Sequence, residues 1–401
     1  MERVETDILV VGGGIAGLIA TAVFAANGHQ TLCIDPNAVP QADSAADADL
    51  RSTAFLMPAV SLLQEAGLWE GLKPHAAPLR LMRILDAGGR ANRVRQRADF
   101  LANEIGQEVF GWNIPNWRLR REIAARLDTL PGAGLRPTGF RTIVPRLKDA
   151  IVTLSDGAQV AARLVVAADG RASPLRQALD IPVMHTGYGQ KAVVFAVQAT
   201  EPHDGVSTEI HRSGGPFTLV PLPDRDGVPH AAVVWMEDGP TAAALADLPA
   251  AEFDAALNDR ACGVMGRLSL VGRRAVWPIV SQLAQRFDGP RVALIGEAAH
   301  VMPPIGAQGL NTSLADVRCL ADLVNSASAA GDDIASAAHL ARYTQRRWPD
   351  AALRMAGVDA LNRASQSSLQ PLRDLRGLGL RVLHDVRPLR RLAMRAGMNM
   401  G

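Results

Sequence analysis

The chain has 401 residues, of which 48% are apolar and 20% charged, and its formal net charge is +2. That length exceeds one simple core and implies two closely packed domains, or one large domain carrying an insertion. So small a basic excess excludes nucleic acid as the main partner, since phosphate binding needs a strong one. Cys33, Cys262 and Cys319 form neither a metal spacing nor a disulfide framework and read as packing residues.

The first feature in chain order is Ile8–Ala26, an uncharged and mostly apolar run about as long as a bilayer span. Glu2 and Glu5 spoil the basic start of a signal peptide, and Gly12 to Gly14 would weaken a spanning helix. The run therefore reads as two elements: a strand Asp7–Val11, a glycine turn, and a helix Ile15–Asn27. With a strand Thr31–Asp35 behind them they make a βαβ unit. The turn spells Gly12-x-Gly14-x-x-Gly17. Its glycines permit a tight bend, close approach of backbone to a pyrophosphate, and close packing of helix on strand. Ile15 and Ala16 open a helix whose unpaired N–H groups face the phosphates. Asp35 ends the next strand, where a carboxylate accepts the ribose hydroxyls. This motif predicts dinucleotide binding without separating FAD from NAD(P).

Pro36–Leu50 reads as a surface loop, and helical patterns follow around Thr53–Glu70 and Arg118–Leu130. Ala161–Gly170 is a buried strand ending in a turn. Gly187–Trp235 holds several short β-branched runs and predicts a mixed or antiparallel sheet. Thr241–Arg260 is helical, Arg291–Gly296 is another buried strand, and the remainder is mainly helical. The expected fold class is α/β: a Rossmann-like nucleotide-binding domain with an inserted sheet-bearing domain and a helical C-terminal tail. After the strand comes "GEAAHVMPPIGAQGLN", too rich in glycine, proline and polar residues for a plain strand-to-helix connection. It predicts a loop that presents backbone to something flat and polar.

The glycine triplet, "ADGRASPLR" (Ala168–Arg176) and Gly296-Glu297 together resemble the three fingerprints of group A flavoprotein monooxygenases, the para-hydroxybenzoate hydroxylase-like fold. The resemblance implies FAD as cofactor, with NADPH or NADH as co-substrate. It assigns Asp169 and Gly170 to the turn serving both, and Glu297 to the ribityl and phosphate region. Glu297 is one methylene longer than the family's usual Asp. By the same resemblance Arg51, Asn116 and Arg120 approach FAD, and "PPIGAQGLN" runs beneath the isoalloxazine ring. A helix beginning near Leu310 would aim the N–H groups of Leu310 and Asn311 at the pyrimidine end. Gly306, Gln308 and Gly309 bring backbone close to the ring, and the Pro304 carbonyl faces the oxygen-reacting side.

"GYGQKAVVFAV", "EPHDGVSTEIHRSGGPFTLVPLP", "YTQRR" and "LRGLGLRVLHDVRPLRRLAMRAGM" narrow the resemblance to the ubiquinone-biosynthesis hydroxylases of the UbiH/UbiF type. It implies hydroxylation of a polyprenylated phenol through a flavin C4a-hydroperoxide. It also implies an FAD-binding domain in three parts (1–75, 106–180, 276–350), substrate-domain segments 76–105 and 181–275, and C-terminal helices 351–401. Water must be kept out, so the site needs apolar walls. No catalytic base stands out: Tyr188, His185, His211 and His300 are candidates that read first as packing or hydrogen-bonding residues. The tail from Arg373 to Arg395 interleaves arginines with apolar residues at helical spacing. That pattern suits a peripheral contact on the inner face of a membrane, a surface for other ubiquinone-biosynthesis proteins, or a helix lidding the core. A cytoplasmic enzyme touching the membrane is the expectation. The alternatives are a hydroxylase of another phenol and a non-catalytic flavin-binding scaffold.

Overall fold

The computed structural model describes residues 3–45, 48–88, 93–212, 214–366, 374, 377, 379–381 and 384–398. Its first sheet has a parallel core in the spatial order Val292–Leu294, Gln159–Ala167, Arg3–Val11, Thr31–Ile34, Ala133–Arg136. Arg3–Val11 lies inside this core because Ile8, Leu9 and Val10 are apolar on both faces and fully buried, as helix-covered parallel strands are. Val11 is level with Ile34 and Ala167, and Ala167 with Leu294. The turns that follow these strands therefore leave the sheet side by side, at the end where open α/β sheets bind ligands.

A second, mixed sheet runs Gln96–Leu101, Leu81–Asp86, Val206–His211, Pro216–Arg225, Val228–Asp238, Val183–Ala199, Leu268–Ala284, His300–Val301. The short runs expected in this region merge into long strands. Gly189, at φ +68°, lies in an irregularity between Gly187 and Lys191, so the glycine makes a bulge within a continuous strand. Leu268–Ala284 spans the expected boundary at residues 275 and 276, and its last residues pair with His300–Val301 next to the first sheet. One face is sealed: Phe195, Ile210, Phe217, Leu219 and Trp235 pack under the helices Gly239–Asp247 and Ala250–Ala261.

The helical expectation for Thr53–Glu70 needs correction. Ser52–Leu56 is a strand paired with Gly111–Pro115, and helix follows over Met57–Glu65 and again from Trp69 to Leu72. A Cβ on Gly111 would lie 2.0 Å from the Phe55 carbonyl oxygen, so close pairing with a glycine overrode the local helical pattern. Arg118–Leu130 is realised as a helix over Asn116–Leu127. Cys33 is buried, and burial pushes its thiol up to about 12, as suits a packing residue.

Asp316 joins the layers. It is fully buried on the helix Gln308–Ala329, where its carboxylate faces His300 Nε2 at 2.6 Å and accepts from Arg347 Nε at 2.8 Å and the Gly296 N–H at 3.2 Å. Arg347, on the long helix Ala337–Gln366, also donates to Asp350 at 2.7 Å. Burial by itself would raise the Asp316 carboxyl, but His300 and Arg347 outweigh it and hold the group below its ordinary value. Removing a partner from such a buried pair is costly, so Arg347→Met should lower unfolding free energy by about 3–5 kcal/mol in neutral denaturant titrations. A carboxylate depressed in the folded state stabilises above its unfolded value near ~3.9 and loses that effect as pH falls through its lower folded value. The gap between wild type and Arg347→Met should therefore close in acid; a gap independent of pH would disprove this role for Asp316.

Candidate active site

The level strand ends gather the expected residues into one crevice. A Cβ on Gly12, at φ +111°, would lie 2.3 Å from the Ala168 carbonyl oxygen, and one on Gly17 would lie 1.9 Å from that of Gly12. Both glycines are demanded by packing alone. Gly14 differs: among the described residues nothing lies within 4 Å of a Cβ there, and it begins the helix Ile15–Ala26 without a side-chain cap. Space plus unpaired N–H groups is what a pyrophosphate needs. Asp35 accepts from Gly13 N–H at 2.6 Å and Asn37 N–H at 2.7 Å, leaving lone pairs for a ribose. Arg120 donates to the Gly13 carbonyl at 3.2 Å, beside the turn. Gly296, at φ +58°, sits against Ala16, 3.4 Å from its own ideal Cβ to that of Ala16, which joins the first fingerprint to the third.

Asp169 serves the turn itself. It accepts from Ser173 Oγ at 2.5 Å and Leu175 N–H at 3.0 Å, and burial raises its carboxyl despite those bonds. Gly170, with open space at its Cβ, is the part of this turn that offers backbone to a ligand. Arg176 is buried and donates to the Ala298 carbonyl at 2.9 Å, tying the Asp-Gly turn to the Gly296-Glu297 segment. Arg51 holds Asp49 through both Nε and Nη2 at 2.8–3.1 Å and stacks 4.4 Å above the Trp277 ring. Burial works against the Arg51 charge, and Asp49 with nearby Glu297 more than offsets it. Asn116 donates to Asp49 at 2.8 Å and accepts from Thr53 at 2.7 Å. Glu297 is exposed to the crevice.

The proline-glycine loop closes the far side. Ile305 N–H donates to the Pro303 carbonyl at 2.8 Å, so Pro304 is the exposed apex of a tight turn. The following helix begins at Gln308, earlier than the expected Leu310, after Ala307 in the left-handed region at φ +56° and without a side-chain cap. The first-turn N–H groups of Gln308, Gly309 and Leu310 thus await an anionic or carbonyl-bearing partner. Gly306 and Gly309 leave open backbone there. Asn311 is buried. Its amide donates to the carbonyls of Ala54 and Ala307, both at 2.7 Å, and accepts from Leu56 N–H at 2.9 Å, so its side chain anchors the helix to strand Ser52–Leu56.

Opposite this loop lies the unsealed face of the second sheet. Strand register places Ala98, Ile84, Glu209, Thr218, Val234, Val194 and Ala275 in one row. At one end Val194, Met236 and Ile279 pack on Ile305 of the loop. At the other, Ala98, Phe100 and Ile84 pack with Leu56, Met394 and Met398, the last two from the tail. Between them Thr218, Val220 and Val234 are only half-buried, so a mostly apolar strip of the sheet, the trough, stays uncovered between loop and tail. The tail helix Arg387–Gly397 walls it: Gln308 Nε2 donates to the Gly397 carbonyl at 3.0 Å. Arg373 and Arg376 of the basic tail lie outside the described residues.

Two helix N-termini left open along one crevice, the first beside open space at Gly14 and the second beside an apolar trough, suit a dinucleotide carrying a flat ring. The class is that of flavoproteins with the para-hydroxybenzoate hydroxylase-like monooxygenase fold. The FAD-binding-domain family model matches residues 5–356, and the chain belongs to that family as an FAD-dependent monooxygenase. It is 35% identical over 393 residues to ubiquinone hydroxylase UbiL of Rhodospirillum rubrum, covering 98% of this chain and 89% of that one. It is 28% identical over 404 residues to the 3-demethoxyubiquinol 3-hydroxylase of Escherichia coli, covering 100% of both. The p-nitrophenol 4-monooxygenase PnpA of Pseudomonas putida shares the fold, with a TM-score of 0.80 at 19% identity over 100% of this chain and 99% of that one.

Sequence reasoning missed Asp49, Thr53, Trp277 and Glu209. Asp49 lies among other acids in an aperiodic loop, and Trp277 is far from any motif. Glu209 left a legible trace, an acid at i, i+2 from His211 on a strand, which places both on one face.

The glycines separate folding from binding. Gly14→Asp should fold as well as wild type, since an N-cap aspartate is favourable, yet weaken FAD binding by about tenfold or more through charge and crowding at the phosphates. Gly17→Ala should fail to fold with or without FAD. Fluorescence titration of FAD and thermal unfolding of the flavin-free proteins would check both, and unchanged affinity in Gly14→Asp would refute the phosphate assignment.

Proposed function

We propose that the protein hydroxylates the ring of a polyprenylated phenol in ubiquinone biosynthesis. One atom of O₂ enters the substrate, the other leaves as water, and NADPH or NADH supplies two electrons. The carrying observation is the half-buried strip Thr218, Val220 and Val234, an apolar trough between the proline-glycine loop and the tail helix, which suits a greasy chain beside a ring. Relatives named as a ubiquinone hydroxylase and a 3-demethoxyubiquinol 3-hydroxylase support the same substrate class.

When bound, FAD supplies the activated oxygen atom. The chain's own residues do the rest. Gly12, Gly14 and Gly17 with Asp35 hold the dinucleotide, and Gly170, Gly296 and Glu297 line its course. The turn at Pro304 and the first-turn N–H groups of Gln308–Leu310 set the ring's plane and favour negative charge at its pyrimidine edge. Ile305, Ile279, Met236 and the tail's Met394 and Met398 exclude water, which would otherwise divert reducing power to hydrogen peroxide. The residue ranges 1–75, 106–180 and 276–350 act mainly as the flavin-binding unit, and 76–105 and 181–275 as the substrate roof, whose sheet also takes in the strand end up to Ala284.

The tail's outer side suits a membrane. Val386, Leu389 and Leu392 are 45%, 40% and 66% exposed, and Arg387, Arg391 and Arg395 are exposed beside them. Among the described residues no helix is long and apolar enough to cross a bilayer. Apolar side chains with flanking cations favour peripheral contact with an anionic surface, where the prenyl chain resides. The same surface would accommodate other proteins of the pathway.

Purified protein supplied with FAD, NADPH and a short-chain prenylated phenol should form a product carrying one atom from labelled dioxygen. Tight coupling on water-soluble phenols, with none on the prenylated one, would reverse the substrate assignment. Changing Leu389 and Leu392 together to Glu should abolish co-sedimentation with phosphatidylglycerol vesicles while flavin content stays constant; undiminished binding would remove the tail from the membrane contact.

A further inference from the structure

On the trough side of strand Val206–His211, an acid and a histidine stand in a largely apolar wall. Ile210 points into the sealed core on the opposite face, so Glu209 and His211 both face the trough. Glu209 is 7% exposed and stands in register with Thr218 and, through it, Val234. Its Oε1 lies 2.7 Å from His211 Nε2. The pair is an ion-pair contact; a carboxylate oxygen so close would repel a bare ring nitrogen, so Nε2 carries the hydrogen and the lone pair of a neutral imidazole is left on Nδ1. That Nδ1 is buried and has no hydrogen-bond partner among the described residues. A buried acceptor without a donor is expensive, and it marks a place where a ligand's donor completes the arrangement.

The other candidate groups are already satisfied or misplaced. Tyr188 bonds Ser281 at 2.6 Å, which in turn donates to Asp359 at 2.9 Å. His300 is closed by Asp316, and His185 is exposed. Among the described residues, the charged groups facing the pair are Asp86, level with His211 on the adjacent strand, and Arg95, which bonds Asp86 at 2.7 Å and Asp374 at 2.9 Å. The neighbouring strand brings Pro216 and Thr218, which do not titrate.

We infer that His211 takes the proton from the ring hydroxyl of the phenolic substrate, with Glu209 as the positioning residue that sets its tautomer. This rests on the reading of the substrate as a phenol. The phenolic O–H bond breaks, an N–H bond forms at Nδ1, and the electron pair stays on oxygen and spreads into the ring. The ring thereby becomes a stronger nucleophile toward activated oxygen, and the Glu209 carboxylate offsets the imidazolium charge. The proton returns to oxygen when the product is released; no oxidant or reductant is consumed in this step. Glu209 and His211 also give the trough one polar point, which orients an otherwise greasy substrate hydroxyl-first.

The test uses the FAD-loaded holoenzyme, a short-chain prenylated phenol and its O-methyl ether. Ultraviolet difference spectra report whether the bound phenol is ionised, and product and peroxide yields are followed against pH. Wild type should bind the phenol partly as phenolate at neutral pH. His211→Gln should bind it un-ionised, keep its flavin, and lose about a hundredfold in product formation at neutral pH while peroxide rises. Activity should recover as the pH approaches ~10, where a phenol ionises unaided. Glu209→Gln should shift the same profile upward by a smaller step, about tenfold at neutral pH, and it supplies the answer should His211→Gln fail to fold. A purely structural role would give a loss that no pH repairs. Phenolate bound equally by wild type and both variants, or unchanged profiles, would overturn the assignment of the pair alone. Wild type that neither binds nor hydroxylates the phenol, while taking up FAD, would overturn the substrate reading and this role with it.

Discussion

A carboxylate with no access to water sits where four parts of the chain meet. Asp316 draws in His300 from the strand that ends the second sheet, Arg347 from the long helix, and the Gly296 N–H from the turn after the last parallel strand. Leaving that charge unpaired would cost several kcal/mol, so the network admits little slack. It fixes the helix Gln308–Ala329, and with it the direction in which the helix's first turn points. The proline-glycine loop spans the interval between His300 and that helix, so both of its ends are held by one ion cluster.

Around this joint the backbone, more than side chains, shapes the cofactor crevice. The glycine turn crowds Ala168 on one side and leaves a gap at Gly14 on the other. The Asp-Gly turn spends its carboxylate on its own N–H and hydroxyl groups, presenting Gly170 outward. Such a site offers fixed dipoles in place of mobile charges, which costs little reorganisation when charge develops on a bound ring. The substrate side follows the opposite logic. Its walls are apolar, two-sided packing leaves one strip of the sheet uncovered, and the polar exceptions on that strip stand out against it.

The fold and the crevice were largely legible in the chain. The βαβ unit, the Asp-Gly turn and the glycine-proline loop depend on short-range spacing, and such spacing survives in a linear reading. Where the reading slipped, pairing had overridden local pattern. Thr53–Leu56 looked helical until Gly111 allowed a neighbouring strand to approach within backbone contact. The short runs expected in Gly187–Trp235 merged into long strands because pairing on both sides absorbed Gly189 as a bulge. The partners of Arg51 could not be read at all: Asp49 is one acid among several, and Trp277 lies more than two hundred residues away.

The amino-acid order by itself determined the dinucleotide turn, the alternation of strand and helix, and the places where only glycine is tolerated, because these follow from steric rules acting over a few residues. Tertiary structure alone decided which acid neutralises which base, which face of the second sheet stays open, and that the tail folds back to wall the trough. Those outcomes depend on strand register between distant segments. A shift of one residue would turn Glu209 and His211 into the sealed core and Ile210 toward the trough.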